Sequence, residues 1–211
     1  AIWRAVIGGL DGPLRRLIVT HFHPDHLGLA SWLMEETGAV LWMTSGEFLT
    51  AHAVWHSVGG HGPVFMVEQF RQHGLDAEHL AKFAKRGSGY RMAVPALPDY
   101  YHRLKAGDAV AVDGKKWQIL IGHGHAPEHM ALYCSELGVL ISGDMLLPKI
   151  STNISVFAAT PDADSLRIVC GHLSRIVKMR RRAPPSCSIR CSSGHLTRIR
   201  PCLRWARQLP I

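Results

Sequence analysis

Apolar residues along this chain fall into two rhythms. Leu17-Ile18-Val19 and the run from Ala39 to Met43 are short, unbroken and apolar, as buried strands are. Between them Leu27, Ala30, Leu33 and Met34 recur at helical spacing, and Gly38 follows as a C-cap. The pattern predicts strands over 15–20 and 39–43 around a helix over 27–37. Such a βαβ unit makes a parallel pair, and open α/β sheets hold ligands at the carboxyl ends of their strands. Ahead of it, residues 2–10 read as a short amphipathic helix, ended by Gly8-Gly9 and Asp11-Gly12-Pro13.

The helical rhythm continues over 47–55, 64–73 and 76–86, jointed by Gly59-Gly60, Gly62-Pro63 and Gly87-Ser88-Gly89. Strand texture returns afterwards. Residues 109–112 and 116–121 flank Asp113-Gly114, a strong hairpin signal, and 130–134 and 139–142 form a second pair across Glu136-Leu137-Gly138. One of these strands leads to His125 and another to Asp144. A helix is expected over 165–179. The class is α/β, and 211 residues suffice for one core rather than two. Residues 47–103 are expected to be a helical insert, standing as a lid over whatever the strand ends carry.

Charge changes the picture only once it is located. The formal net charge is +8, yet residues 1–164 carry 13 basic and 16 acidic side chains. Beyond Asp164 there is no acidic residue, and eleven Arg and Lys follow, together with Cys170, Cys187, Cys191 and Cys202. The basicity belongs to the segment 170–211, so a nucleic-acid partner is not expected for the body. Cys187 and Cys191 lack a second well-spaced pair, which makes a zinc knuckle a poor reading. No apolar run of membrane-spanning length and no leader pattern occurs, and the expected location is the cytoplasm.

The chemistry concentrates in Thr20-His21-Phe22-His23-Pro24-Asp25-His26, directly after the first strand. Side chains two apart in extended backbone share a face, so His21 and His23 can grip one cation while Asp25 and His26 turn elsewhere. A lone histidine beside a strand is usually a partnered structural residue. Four polar groups crowded at a strand end each need a partner, and a metal supplies one to all of them.

This motif, with Gly124-His125-Ala126-Pro127-Glu128-His129 and Ser142-Gly143-Asp144, resembles the metallo-β-lactamase superfamily of metal-dependent hydrolases over roughly residues 1–165. The resemblance implies an αββα sandwich. It assigns His21, His23 and His125 to one metal, Asp25 and His26 to a second, and Asp144 to both. Zinc, about two per chain, is the implied cofactor, with iron or manganese as substitutes. Two such cations about 3.5–4 Å apart lower the pKa of bound water toward about 7 and polarise the oxygen under attack. Asp25 is implied as proton acceptor, and His129 as an outer or substrate-facing group. At Glu128 the family often has Gly; the carboxylate either orients a ligand imidazole or faces solvent. His195 in Ser192-Ser193-Gly194-His195 is the candidate for the family's last ligand, although its Arg- and Cys-rich surroundings break the family pattern, as a shifted reading frame or a diverged end would. Asn153 and Lys149 are candidates to meet a substrate anion. The family places several strands ahead of its first motif, and only 20 residues precede His21, so N-terminal strands are expected to be missing.

The implied activity is hydrolysis of an ester, thioester or lactone-like carbonyl in a small-molecule substrate. A phosphodiesterase or nuclease of the same superfamily and a non-catalytic remnant are the competing classes. Metal content and a choice between thioester and phosphodiester substrates separate them.

Overall fold

The computed structural model describes residues 2–86, 89–147, 150–180, 188–191 and 196–198. The predicted βαβ unit is present as β1 (Arg16–Ile18), helices α2 (Pro24–Leu27) and α3 (Ala30–Thr37), and β2 (Val40–Thr44). α1 (Ile2–Gly8) precedes it and is tied to α3 by Arg4, which donates to Glu36 at 2.9 Å. One predicted helix over 27–37 is two, broken at Gly28 and Leu29. A Cβ on Gly28 would stand 2.5 Å from the Pro24 carbonyl and 2.6 Å from that of Ala93. The chain changes direction there because another backbone passes against it.

Next come α4 (Ser45–His56), α5 (Pro63–Gln72), α6 (Ala77–Arg86) and α7 (Tyr90–Ala93). A strand absent from the sequence reading follows, β3 (His102–Leu104), parallel to β2 with Trp42 opposite His102. The order in the first sheet is β1-β2-β3, all parallel. The second sheet begins with β4 (Ala109–Val112) and β5 (Lys115–Gly122), joined where Asp113 and Gly114 both take the positive φ that a tight hairpin requires. It continues through β6 (His129–Cys134) and β7 (Val139–Gly143); after α8 (Ser165–Arg180), β8 (Ser188–Cys191) joins β7 in parallel and β9 (Leu196–Arg198) closes the edge.

Burial orders these elements into layers. Leu104, Val110, Ile119, Met130 and Leu132 pack with Ile18 and Trp42, so one core lies between the two sheets. Val19, Leu41 and Met43 meet Leu27, Ala30, Ala51, Tyr90 and Val94, so a second core lies between the parallel sheet and its helices. α8 covers the other sheet: Val169 is buried, and a Cβ on Gly124 would come within 2.3 Å of it. The stack is helix, sheet, sheet, helix.

The expected insert divides in this arrangement. α4 supplies Ala51 to the core, α7 supplies Tyr90, and Val94 follows directly after α7. α5 buries no residue, and its Gln69 donates to the Val156 carbonyl at 3.3 Å. No helix among the described residues is long and apolar enough to cross a membrane.

Candidate metal centre

β1 runs out at Ile18, and the next eight residues hold His21, His23, Asp25 and His26 in a short loop that Pro24 turns at once into a helix. β5 ends at Gly122, and Asp144 directly follows β7. A hydrogen bond from the Met130 amide to the Thr20 carbonyl, 2.8 Å, joins the two sheets beside these ends.

Three imidazoles meet there. His21 Nε2 is 2.9 Å from His23 Nδ1 and 3.2 Å from His125 Nε2. Ligand atoms about 2.0–2.1 Å from a tetrahedral cation sit roughly 3.3 Å apart, which these spacings match. His125 donates its Nδ1 proton to the Asn153 carbonyl at 2.9 Å, which leaves Nε2 bare and aimed at the other two rings. Thr20 Oγ1 lies 2.9 Å from His21 Nδ1 and fixes that ring in the same manner. Outer partners of this kind set ligand orientation in metal sites.

A second group overlaps the first. His26 Nε2 is 3.3 Å from Asp144 Oδ1, while Asp144 Oδ2 is 3.7 Å from His125 Nε2 and 4.0 Å from His21 Nε2. Asp144 therefore stands between His26 and the triple-histidine set. His21, His23 and His125 form one cluster able to hold a metal, and His21, His26 and Asp144 another. Asp25 is at the edge: its side chain is 74% exposed, and Oδ2 is 3.5 Å from His26 Nε2. His195 and Lys149 lie outside the described residues.

Burial holds two of the rings, His21 and His23, in the form that binds metal. Burial, reinforced by the neighbouring imidazoles, drives the His21 pKa far below its ordinary value. The same causes bring His23 down to about 4, with Asp25 and Asp144 pulling back. His26 differs: burial depresses it, but the carboxylates of Asp144 and Asp25 outweigh burial and leave it raised. Neutral imidazoles packed lone pair to lone pair beside a carboxylate are a donor set that fits a divalent cation.

His129 takes the outer place that the resemblance implies, whereas Glu128 neither orients an imidazole nor faces solvent freely. His129 is fully buried, accepts the Asp144 amide at 3.1 Å through Nε2, and stacks on His21 at 4.6 Å. Its Nδ1 is buried without a hydrogen-bond partner among the described residues, and burial lowers its pKa to about 3. Glu128 reaches no imidazole; its Oε2 accepts the Gly46 amide at 2.7 Å. Asn153 serves His125 through its backbone carbonyl, while its amide donates to Ser155 Oγ at 3.4 Å.

Glu47 was missed entirely. It is 0% exposed, and burial pushes its pKa up to about 7 against the pull of the Glu128 and Phe22 amides. On sequence it is an ordinary acid in a helix's first turn. The available signal is its place immediately after β2, the strand beside the one that delivers the histidines.

An αββα fold with overlapping His/Asp clusters at converging strand ends defines a class of metal-binding α/β protein. The metallo-beta-lactamase superfamily model matches residues 2–172, and the chain belongs to that superfamily. Among solved structures, it is similar to a beta-lactamase domain protein from Burkholderia ambifaria, with 37% identity and a TM-score of 0.82, covering 97% of this chain and 58% of that one. It is also similar to a metallo-beta-lactamase family protein from Thermus thermophilus, with 29% identity and a TM-score of 0.65, covering 92% and 58%. A third structure, solved in a di-iron-bound form, shares the fold at 21% identity and a TM-score of 0.59, covering 93% and 78%. The chain thus spans 58% of the length of each of the first two. No curated protein matches it.

Proposed function

We propose that the protein is a metal-dependent hydrolase acting on an ester, thioester or lactone-like carbonyl of a small molecule, with two metal ions per chain. The observation that carries this reading is the convergence of His21, His23 and His125 nitrogens, with Asp144 set between them and His26. Imidazoles with one or two carboxylates suit zinc, and the same donors accept iron, which one structural neighbour holds.

When bound, the metal supplies Lewis acidity toward the carbonyl oxygen and an acidified water. The remaining work falls to the chain. Burial keeps His21 and His23 neutral, and His125 presents its Nε2 beside them; Thr20 and Asn153 keep the His21 and His125 rings from turning. Asp25, exposed at the mouth and 3.5 Å from His26, takes a proton on its free carboxylate oxygen. α5 meets the 155–157 segment through Gln69, beside the Ser155 amide that donates to the Gly124 carbonyl next to His125, and we assign to it the outer wall of the substrate pocket. Cysteine usage favours a reducing compartment, the cytoplasm.

The test is a panel of thioester, lactone and p-nitrophenyl phosphodiester substrates offered to zinc- and iron-loaded protein. Chelator-sensitive turnover of the carbonyl substrates is expected. Turnover of the phosphodiester alone would transfer the protein to the nuclease class.

A further inference from the structure

Both polar backbone groups of Phe22, the residue between His21 and His23, are held by side chains from the helices that follow β2. Its amide donates to Glu47 Oε2 at 2.9 Å, and its carbonyl accepts the Tyr90 hydroxyl at 2.6 Å. The other oxygen of Glu47 accepts the Glu128 amide at 2.5 Å, three residues beyond His125. Glu128 in turn accepts Thr44 Oγ1 at its carbonyl, 2.9 Å, and the Gly46 amide at its carboxylate. A Cβ at Gly46 would sit 2.7 Å from Glu128 Cγ, so the β2–α4 turn is shaped to admit that side chain.

We infer that Glu47 is a positioning residue: one buried carboxylate bridges the loop of His21 and His23 to the loop of His125 and sets their separation before any metal arrives. Its two oxygens reach backbone on two segments whose candidate ligand nitrogens, His21 Nε2 and His125 Nε2, lie 3.2 Å apart. A single carboxyl group accepting from both amides ties the two segments directly to each other. The loops gain a metal-independent hinge pin. The cation then meets a preformed site and pays little ordering entropy.

The consequence rests on the metal-site reading above, while the bridge itself does not, and the experiment separates them. Amide hydrogen exchange is followed in metal-free protein, and zinc affinity by chelator competition, with the Co(II) absorption spectrum as a reporter of ligand geometry. Glu47→Gln keeps the shape but turns an N–H donor toward an amide. We expect faster exchange at Phe22 and Glu128 alone, zinc binding weakened about 10–100-fold and an altered cobalt spectrum. Val110→Ala, in the core between the sheets, controls for general destabilisation and leaves affinity unchanged. Parent-like exchange and affinity in Glu47→Gln overturns the inference, as does a loss no larger than in Val110→Ala. If Glu47→Gln does not fold, Tyr90→Phe decides: a several-fold weaker zinc affinity supports the brace on Phe22, and an unchanged one overturns it. A parent that binds no metal, yet protects the two amides until Glu47 is changed, removes the hydrolase reading and leaves the bridge standing.

Discussion

The two sheets deliver their candidate ligands to the same place in different ways. The parallel sheet brings His21, His23 and His26 from one loop, with Asp25 at its edge, because a βα connection turns sharply at the strand end and stays there. The second sheet brings His125 and Asp144 from the ends of two different strands in its antiparallel part, 19 positions apart, set together by the register of β5, β6 and β7. A local cluster is fixed by a few dihedral angles, whereas a dispersed pair depends on ladder pairing over many residues. The first half of the site should withstand changes elsewhere in the fold, and the second should feel them.

His21→Ala tests this contrast most severely, since His21 belongs to both clusters. We expect metal content to fall to background by elemental analysis and activity with it. His125→Ala and Asp144→Asn sharpen the comparison. Each removes a ligand from the antiparallel side only, so His125→Ala should leave about one metal per chain, held around His26 and Asp144, and Asp144→Asn about one held by the three histidines. Gly143→Ala reaches the dispersed half through the backbone. Gly143 sits at φ +50°, and a Cβ there would be 2.6 Å from His129 Cε1, so we expect a loss of about 1–2 kcal/mol in denaturant unfolding together with weakened metal binding.

The smallest effect is a pH dependence of the metal-free protein. His23 and His129 are held down at about 4 and about 3 from an ordinary value of 6.5, so the unfolded chain takes up protons that the folded one refuses. Their contribution is present above pH 6.5 and is lost as pH falls toward 4. Glu47 acts with the opposite sign: raised from 4.5 to about 7, it contributes below 4.5 and loses that contribution as pH rises through 7. Two histidines, with His21 in the same sense, outweigh one carboxyl. Thermal melting of chelated protein should show a falling midpoint between pH 6.5 and 4, less steep in His23→Ala.

The same contrast governs what sequence could reveal. The H-x-H-x-D-H cluster is local, so spacing alone announces it. His125 and Asp144 become candidates only through motif order, because nothing within either segment states which strands will pair. β3 escaped because Pro95, Pro98 and the Lys105 to Asp108 turn outweigh three strand residues, and its partner β2 is far away along the chain. The break at Gly28 is invisible for the same reason: its cause is the Ala93 carbonyl on α7. Glu47 reads as a helix-start acid because its role consists of bonds to backbone in other loops, which no periodicity encodes, and His129 is placed as an outer group only through the motif it belongs to. The helix layer over 47–103 was legible as helices but not as part of the core, since Tyr90 and Val94 become apolar anchors only once Phe22 is beside them.

The account depends on the two sheets presenting a shared metal centre, and metal stoichiometry measures that most directly. Elemental analysis of purified protein equilibrated with zinc or iron and freed of excess should find about two ions per chain, and background in His21→Ala. Protein that retains no metal, or that retains the same amount once His21 is removed, would contradict it.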